Sequence, residues 1–243
     1  MPEQLWFTKI LNHLFAPAAA ALLHRIGIEP AYPSAPITNT VAMQILVVLL
    51  LIIFFIVIRS RLSVEKPGKI QHVAEMMEEF VADQAEGVIG HGYKRYVPYA
   101  LALGYFILLC NIIGLVPGFE SPTAKAVVPL GCAVVTFIYY HFHGIRHHKL
   151  HYYKQFIGPI WLLAPLMLLI EVISHFARIL SLTVRLYANI FAGDLVTQAF
   201  FSLVPILIPV AFLGLHLFVA LVQTFIFVML ALVYLGMAVS EEH

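Results

Sequence analysis

The sequence predicts an all-α, polytopic membrane protein of about five membrane helices, the last two a long, steeply tilted antiparallel hairpin, with an amphipathic helix on the surface. Three observations predict it. Hydrophobic residues make up 61% of the chain and charged ones 11%, where a soluble domain carries about a quarter charged, and mean hydropathy is +0.92. Apolar runs of span length recur between breaks rich in proline and glycine. Finally, the apolar stretch from Leu166 to Leu203 would make a helix about 57 Å long, nearly twice the bilayer core, so it cannot stand upright.

Residues 1–40 read as an extracytoplasmic N-terminal segment ending in the linker AYPSAPITNT. Its short apolar run, Leu14–Leu23, has the size of a leader's central region, but Glu3 lies where a leader would be basic. Residues 41–243 form one membrane domain. Residues 41–58 are the first membrane helix, interrupted only by Gln44 and stopped by Arg59 and Arg61. After the Pro67–Gly68 break, residues 65–90 hold a surface helix. Ile70, Val73, Met76, Met77, Phe80 and Val81 fall on its apolar face, and Glu75, Glu78, Glu79, Asp83 and Glu86 lie elsewhere. Residues 98–142 form a helical hairpin through Asn111 and the loop Pro117–Lys125. A polar loop, HFHGIRHHKLHYYK, follows. Residues 160–240 make the tilted hairpin. Its first arm either breaks near Gly193 or runs on tilted; the tilted form is the one expected.

Basic residues orient the chain. With the N-terminus outside and the C-terminus cytoplasmic, the inner side holds nine (Arg59, Arg61, Lys66, Lys69, Lys94, Arg95, Arg146, Lys149, Lys154) and the outer side three (Lys9, Arg25, Lys125). The net charge of +1 speaks against nucleic acid. Cys110 and Cys132, both in apolar runs, read as small buried hydrophobes.

The chemistry is concentrated in EVISHFARILSLTVRLYANIFAGD, residues 171–194. Glu171, Ser174, Arg178, Ser181, Arg185 and Asn189 recur at helical spacing as one polar stripe about 27 Å long. Arg185 is the sharpest of them. An arginine at mid-membrane costs from about 3 kcal/mol upward, and its guanidinium stays protonated. It cannot relay protons, but it can attract a partner's carboxylate. Asp194 projects about 180° away from Arg185, with Gln198 a turn further on. The last helix presents His216 and Gln223 on one face, and an imidazole beside a carboxylate can pass protons. Two half-length polar paths separated by a fixed positive charge suit a device that hands a proton to a moving carrier. His141, His143, His147, His148 and His151 lack the spacing of a zinc site and read as a headgroup-binding loop, so no metal is expected. No Gly-rich phosphate loop, H-E-x-x-H or G-x-S-x-G occurs, so neither nucleotide binding, nor a cofactor, nor catalysis by this chain is expected.

SLTVRLYANIFAGDLV resembles the signature S-L-x-x-R-L-F-x-N-x-x-A-G-[DE] of subunit a of F-type rotary ATP synthases, and the tail FIFVMLALVYLGMAVSEEH, the segment NIIGLVPGFESPTAK and the surface-helix end GYKRYVP are similar to that family too. The resemblance covers most of residues 41–243. It implies a proton-translocating stator subunit in a bacterial inner membrane, partnered by a ring of c subunits, peripheral-stalk b subunits and lipid. It further implies that Arg185 faces the ring carboxylate and that Asp194, His216 and Gln223 form the outer half-channel. Glu171 and Ser174 would line the inner one, with Asn189 between the two. Tyr187 and Ala188 stand where phenylalanine and glycine are common, and Asn111–Pro117 carries no acid, which places outer access on the hairpin. The alternatives are a stand-alone secondary transporter with an arginine-based anion site, for which internal repeats are expected and not found, and a membrane metalloenzyme.

Overall fold

In the computed structural model, residues 4–25, 27, 29, 32, 35–63, 67–116, 118–149, 164–203 and 207–239 are described. Among them the chain forms seven α-helices and no strand: α1 (Trp6–Arg25), α2 (Asn39–Ser60), α3 (Lys69–Ile89), α4 (Val97–Ile113), α5 (Val127–His148), α6 (Ala164–Leu203) and α7 (Leu207–Val239). Residues in α2, α5, α6 and α7 make four helices long and apolar enough to cross a membrane. The fifth expected span, α4, has 17 residues, about 25 Å, short of the full core.

Local chemistry sets the boundaries. The Thr38 hydroxyl accepts from the Val41 N–H to open α2, and Pro98 sits in the first turn of α4, where its missing N–H has no helical partner to lose. Two reciprocal amide pairs tie flanking segments down. Asn12 Nδ2 donates to the Ile37 carbonyl while Asn12 Oδ1 accepts from the Ile37 N–H, both at 3.0 Å. Gln71 does the same with Ser63, both at 3.1 Å. The first pair fastens α1 to the start of α2, a helix not foreseen in residues 1–40 because Pro17 interrupts its pattern.

Two further findings concern α5 and the surface helix. The helix of the third span, α5, runs past Phe142 to His148, so four of the five loop histidines are helical, while His151 lies outside the described residues. The surface helix divides along its length. Val81 and Ala85 near its C-terminal end pack on Val97 and Ala100 of α4 and on Val228 and Leu232 of α7, whereas Ile70, Val73 and Met76 stay exposed. Gly236 permits that packing, since a Cβ there would stand 3.0 Å from the Val88 carbonyl oxygen.

The core lies where α4, α5, α6 and α7 meet, with Ile107, Ala133, Leu186, Ile190, Ala220 and Phe227 buried together. α6 is one unbroken helix of 40 residues, about 60 Å; it does not break at Gly193. Its register against α7 is antiparallel, set by four contacts. Phe200 stacks on Phe212 at 4.4 Å and Asp194 faces His216. Asn189 bonds Gln223, and Arg178 lies 5.2 Å over the Tyr234 ring. Steps back along α6 are matched by steps forward along α7.

Candidate functional site

The hairpin collects its polar groups into two clusters with Arg185 between them. Arg185 is half-exposed, and its Nη2 donates to the Ser181 hydroxyl a turn earlier at 3.2 Å. Among the described residues no carboxylate pairs with it. The residues around it on that face, Ser181, Val184, Ala188 and Ala192, are exposed. The guanidinium therefore sits on an open surface of α6, beside the buried row of Leu182, Leu186 and Ile190 that faces the core.

At one end Asp194 Oδ1 lies 3.7 Å from His216 Nδ1. Gly193 makes this approach possible: a Cβ in its place would stand 3.0 Å from the same His216 nitrogen. His216 is 4% exposed, and its Nε2 is buried without a hydrogen-bond partner among the described residues. That orphan matters because a buried unpaired nitrogen costs about 1–3 kcal/mol unless water or a transferring proton reaches it. Asp194, Gln198 and His216 line a cavity of about 330 Å³ together with Glu120, Ser121 and Lys125 from the α4–α5 connection. Glu120 was missed in the sequence because it lies three residues past the acid-free Asn111–Pro117 stretch, and nothing local marks its loop as folding back toward α6. The connection thus adds a carboxylate to the groups that the hairpin brings to this cavity. Ser121 and Thr123 hold the loop down: Ser121 Oγ donates to the Cys110 carbonyl at 2.9 Å, and Thr123 Oγ1 donates to Asn111 Oδ1 at 2.6 Å.

Asn189 and Gln223 form a separate pair. Asn189 Nδ2 donates to Gln223 Oε1 at 2.8 Å, with Gln223 buried and Asn189 exposed. The expected stripe therefore bends: Asn189 leaves the Arg185 row and joins α7, bridging toward the Asp194 end.

At the other end Glu171 Oε1 is 3.6 Å from His175 Nε2, and His175 Nδ1 lies 3.4 Å from the Tyr140 hydroxyl of α5. Arg178, one turn on, is held over Tyr234. Ser174 is half-exposed on the same helix. Here too α5 contributes groups that periodicity on α6 alone could not reveal.

The fold and these clusters define a class: an all-helical, multi-pass membrane protein whose polar groups are gathered along one long hairpin. Comparison with known proteins narrows the class. Residues 41–236 match the family model described as ATP synthase A chain. Over their full lengths the chain is 56% identical to ATP synthase subunit a of Koribacter versatilis. It is 44% identical to ATP synthase subunit a of Solibacter usitatus, covering 96% of this chain and 100% of that one, and 36% identical to the Geobacter sulfurreducens subunit, covering 89% and 94%. The chain belongs to the ATP synthase subunit a family, a component of the membrane sector.

Proposed function

We propose that this chain conducts protons through two half-channels that meet the carboxylates of a rotating c-subunit ring, with Arg185 as the fixed charge between them. The observation that carries this reading is the placement of Arg185. Its guanidinium lies on an open face of α6, unpaired with any carboxylate among the described residues, between two titratable clusters. A permanent cation in such a place needs a partner's negative charge to offset its desolvation. A ring carboxylate supplies that charge when it passes, and its release from Arg185 coincides with its protonation.

Along the helix, Asp194 lies about 14 Å from Arg185 and Glu171 about 21 Å on the other side. Protons reach the ring from the Asp194, His216 and Glu120 cavity, and leave past Glu171 and Ser174. A straight run of protons between the two ends is blocked because arginine does not give up its own. Each charge that crosses 100 mV releases about 2.3 kcal/mol, which turns the ring; ATP chemistry belongs to other subunits. Peripheral-stalk b subunits hold the chain still, and the N-terminus lies outside a bacterial inner membrane.

The test is Arg185→Ala in membrane vesicles containing the whole complex. ATP synthesis driven by an imposed proton gradient is expected to fall to background. Synthesis at the wild-type rate would overturn the mechanism.

A further inference from the structure

Resting on the reading above, we propose that His175 carries the proton at the Glu171 end: its ring takes up a proton from the Arg185 side and passes it to Glu171, held in position by the Tyr140 hydroxyl. Histidines at the end of α5 looked from sequence like a headgroup-binding loop. The fold separates two of them from that group, His143 being buried against the Tyr96 and Tyr139 rings. His141 lies on the α5 face turned toward α6, its ring 4.7 Å from the ring of His175 and edge-on to it, while His147 stays exposed near the helix end.

Three features fit His175 to proton transfer. Its Nδ1 meets Tyr140 at 3.4 Å, so with Nδ1–H donating to the phenolic oxygen the basic nitrogen is Nε2. That is the nitrogen facing Glu171, at 3.6 Å, a gap that a small rotation or one water closes. Side-chain exposure rises from 12% at His175 to 39% at Glu171, one helical turn nearer the end of α6, so a proton moving that way moves toward solvent.

The step balances without any other reagent. Neutral His175 binds a proton at Nε2; that N–H bond then breaks as the proton joins Glu171 Oε1. The carboxylic acid gives the proton to water, leaving the ring neutral in its starting tautomer. The charged and titratable groups facing His175 are Glu171 and Arg178 on α6, Tyr140 and His141 on α5, and, behind Arg178, Tyr234 on α7.

The experiment measures passive proton conductance through the membrane sector of the assembled complex, stripped of its catalytic sector, while pH is varied on the Glu171 side. His175→Gln, which keeps size and hydrogen bonding but cannot titrate in this range, and His175→Leu are both expected to lower conductance about tenfold. Both are also expected to remove a step in the pH profile measured from the Glu171 side. Tyr140→Phe should lower conductance less and broaden that step, as a positioning residue would. His147→Gln should match wild type. Wild-type conductance and pH profile in both His175 variants, with Arg185→Ala still abolishing synthesis, would overturn this proposal while leaving the half-channel reading standing. Full synthesis by Arg185→Ala would remove the reading itself. Equal loss in His147→Gln would also overturn the assignment to His175.

Discussion

Gly193 shows how much one atom decides at the residue scale. The Asp194–His216 contact exists because α6 presents no side chain where the imidazole lies, and an added methyl would meet His216 Nδ1 and Cε1 at 3.0 and 3.1 Å. Gly193→Ala should push the ring back by a few tenths of an ångström. Since misplacement by about 1 Å can cost a hundredfold, a loss of proton conductance between about twofold and tenfold is expected, and a larger one for Gly193→Leu. Conductance of the membrane sector checks it, and equal rates in all three proteins would show that the contact is idle. Residue identities here were legible in sequence: Arg185, Asp194, His216 and Gln223 all stood out as polar groups in apolar helices. Their pairing was only partly so. Helical spacing ranks residues on one helix but says nothing about which turn of a second helix lies opposite. Asp194 therefore meets His216, and Asn189 meets Gln223, through the register of α6 on α7.

The element scale belongs to the connection between α4 and α5. Asn111 is fully buried and knits three pieces together. Its Nδ2 reaches Thr224 Oγ1 at 3.2 Å and the Ala220 carbonyl at 3.4 Å on α7, and its Oδ1 accepts from Thr123 in the loop. That knot fixes the loop that carries Glu120 into the cavity beside Asp194. Asn111→Leu removes these bonds in an apolar setting and should lower stability by about 1–2 kcal/mol. The expected readout is a lower melting temperature of the detergent-purified complex, and an unchanged one would refute the knot. In sequence Asn111 was visible only as a polar residue inside a span. Its partners lie beyond any local pattern, two of them more than a hundred residues away.

At the scale of the whole molecule the prediction concerns orientation. The proposal that the N-terminus lies outside rests on an excess of basic residues on one side. The native thiols, Cys110 and Cys132, are buried, so introduced ones can be read cleanly. His24→Cys, at the exposed end of α1, should react with a membrane-impermeant maleimide on intact cells. Lys149→Cys, at the exposed end of α5, should react only after permeabilisation. The reverse pattern would invert the topology and, with it, the direction assigned to the two half-channels.

What the sequence determined by itself was the solvent of this protein, the excess length of the hairpin's first arm and the rows of polar groups the hairpin carries. Hydrophobicity, helical period and bilayer thickness are local or near-local constraints, and they suffice for that. Even the overlong first arm of the hairpin follows from counting residues against the thickness of the core. The tertiary structure alone decided which groups meet. It set Tyr140 and His141 of α5 against α6, folded Glu120 into the Asp194 cavity, and made α1 a helix pinned through Asn12 to Ile37. Each of these depends on packing between segments far apart in the chain, where depth and register are set by side-chain fit and no sequence period records them.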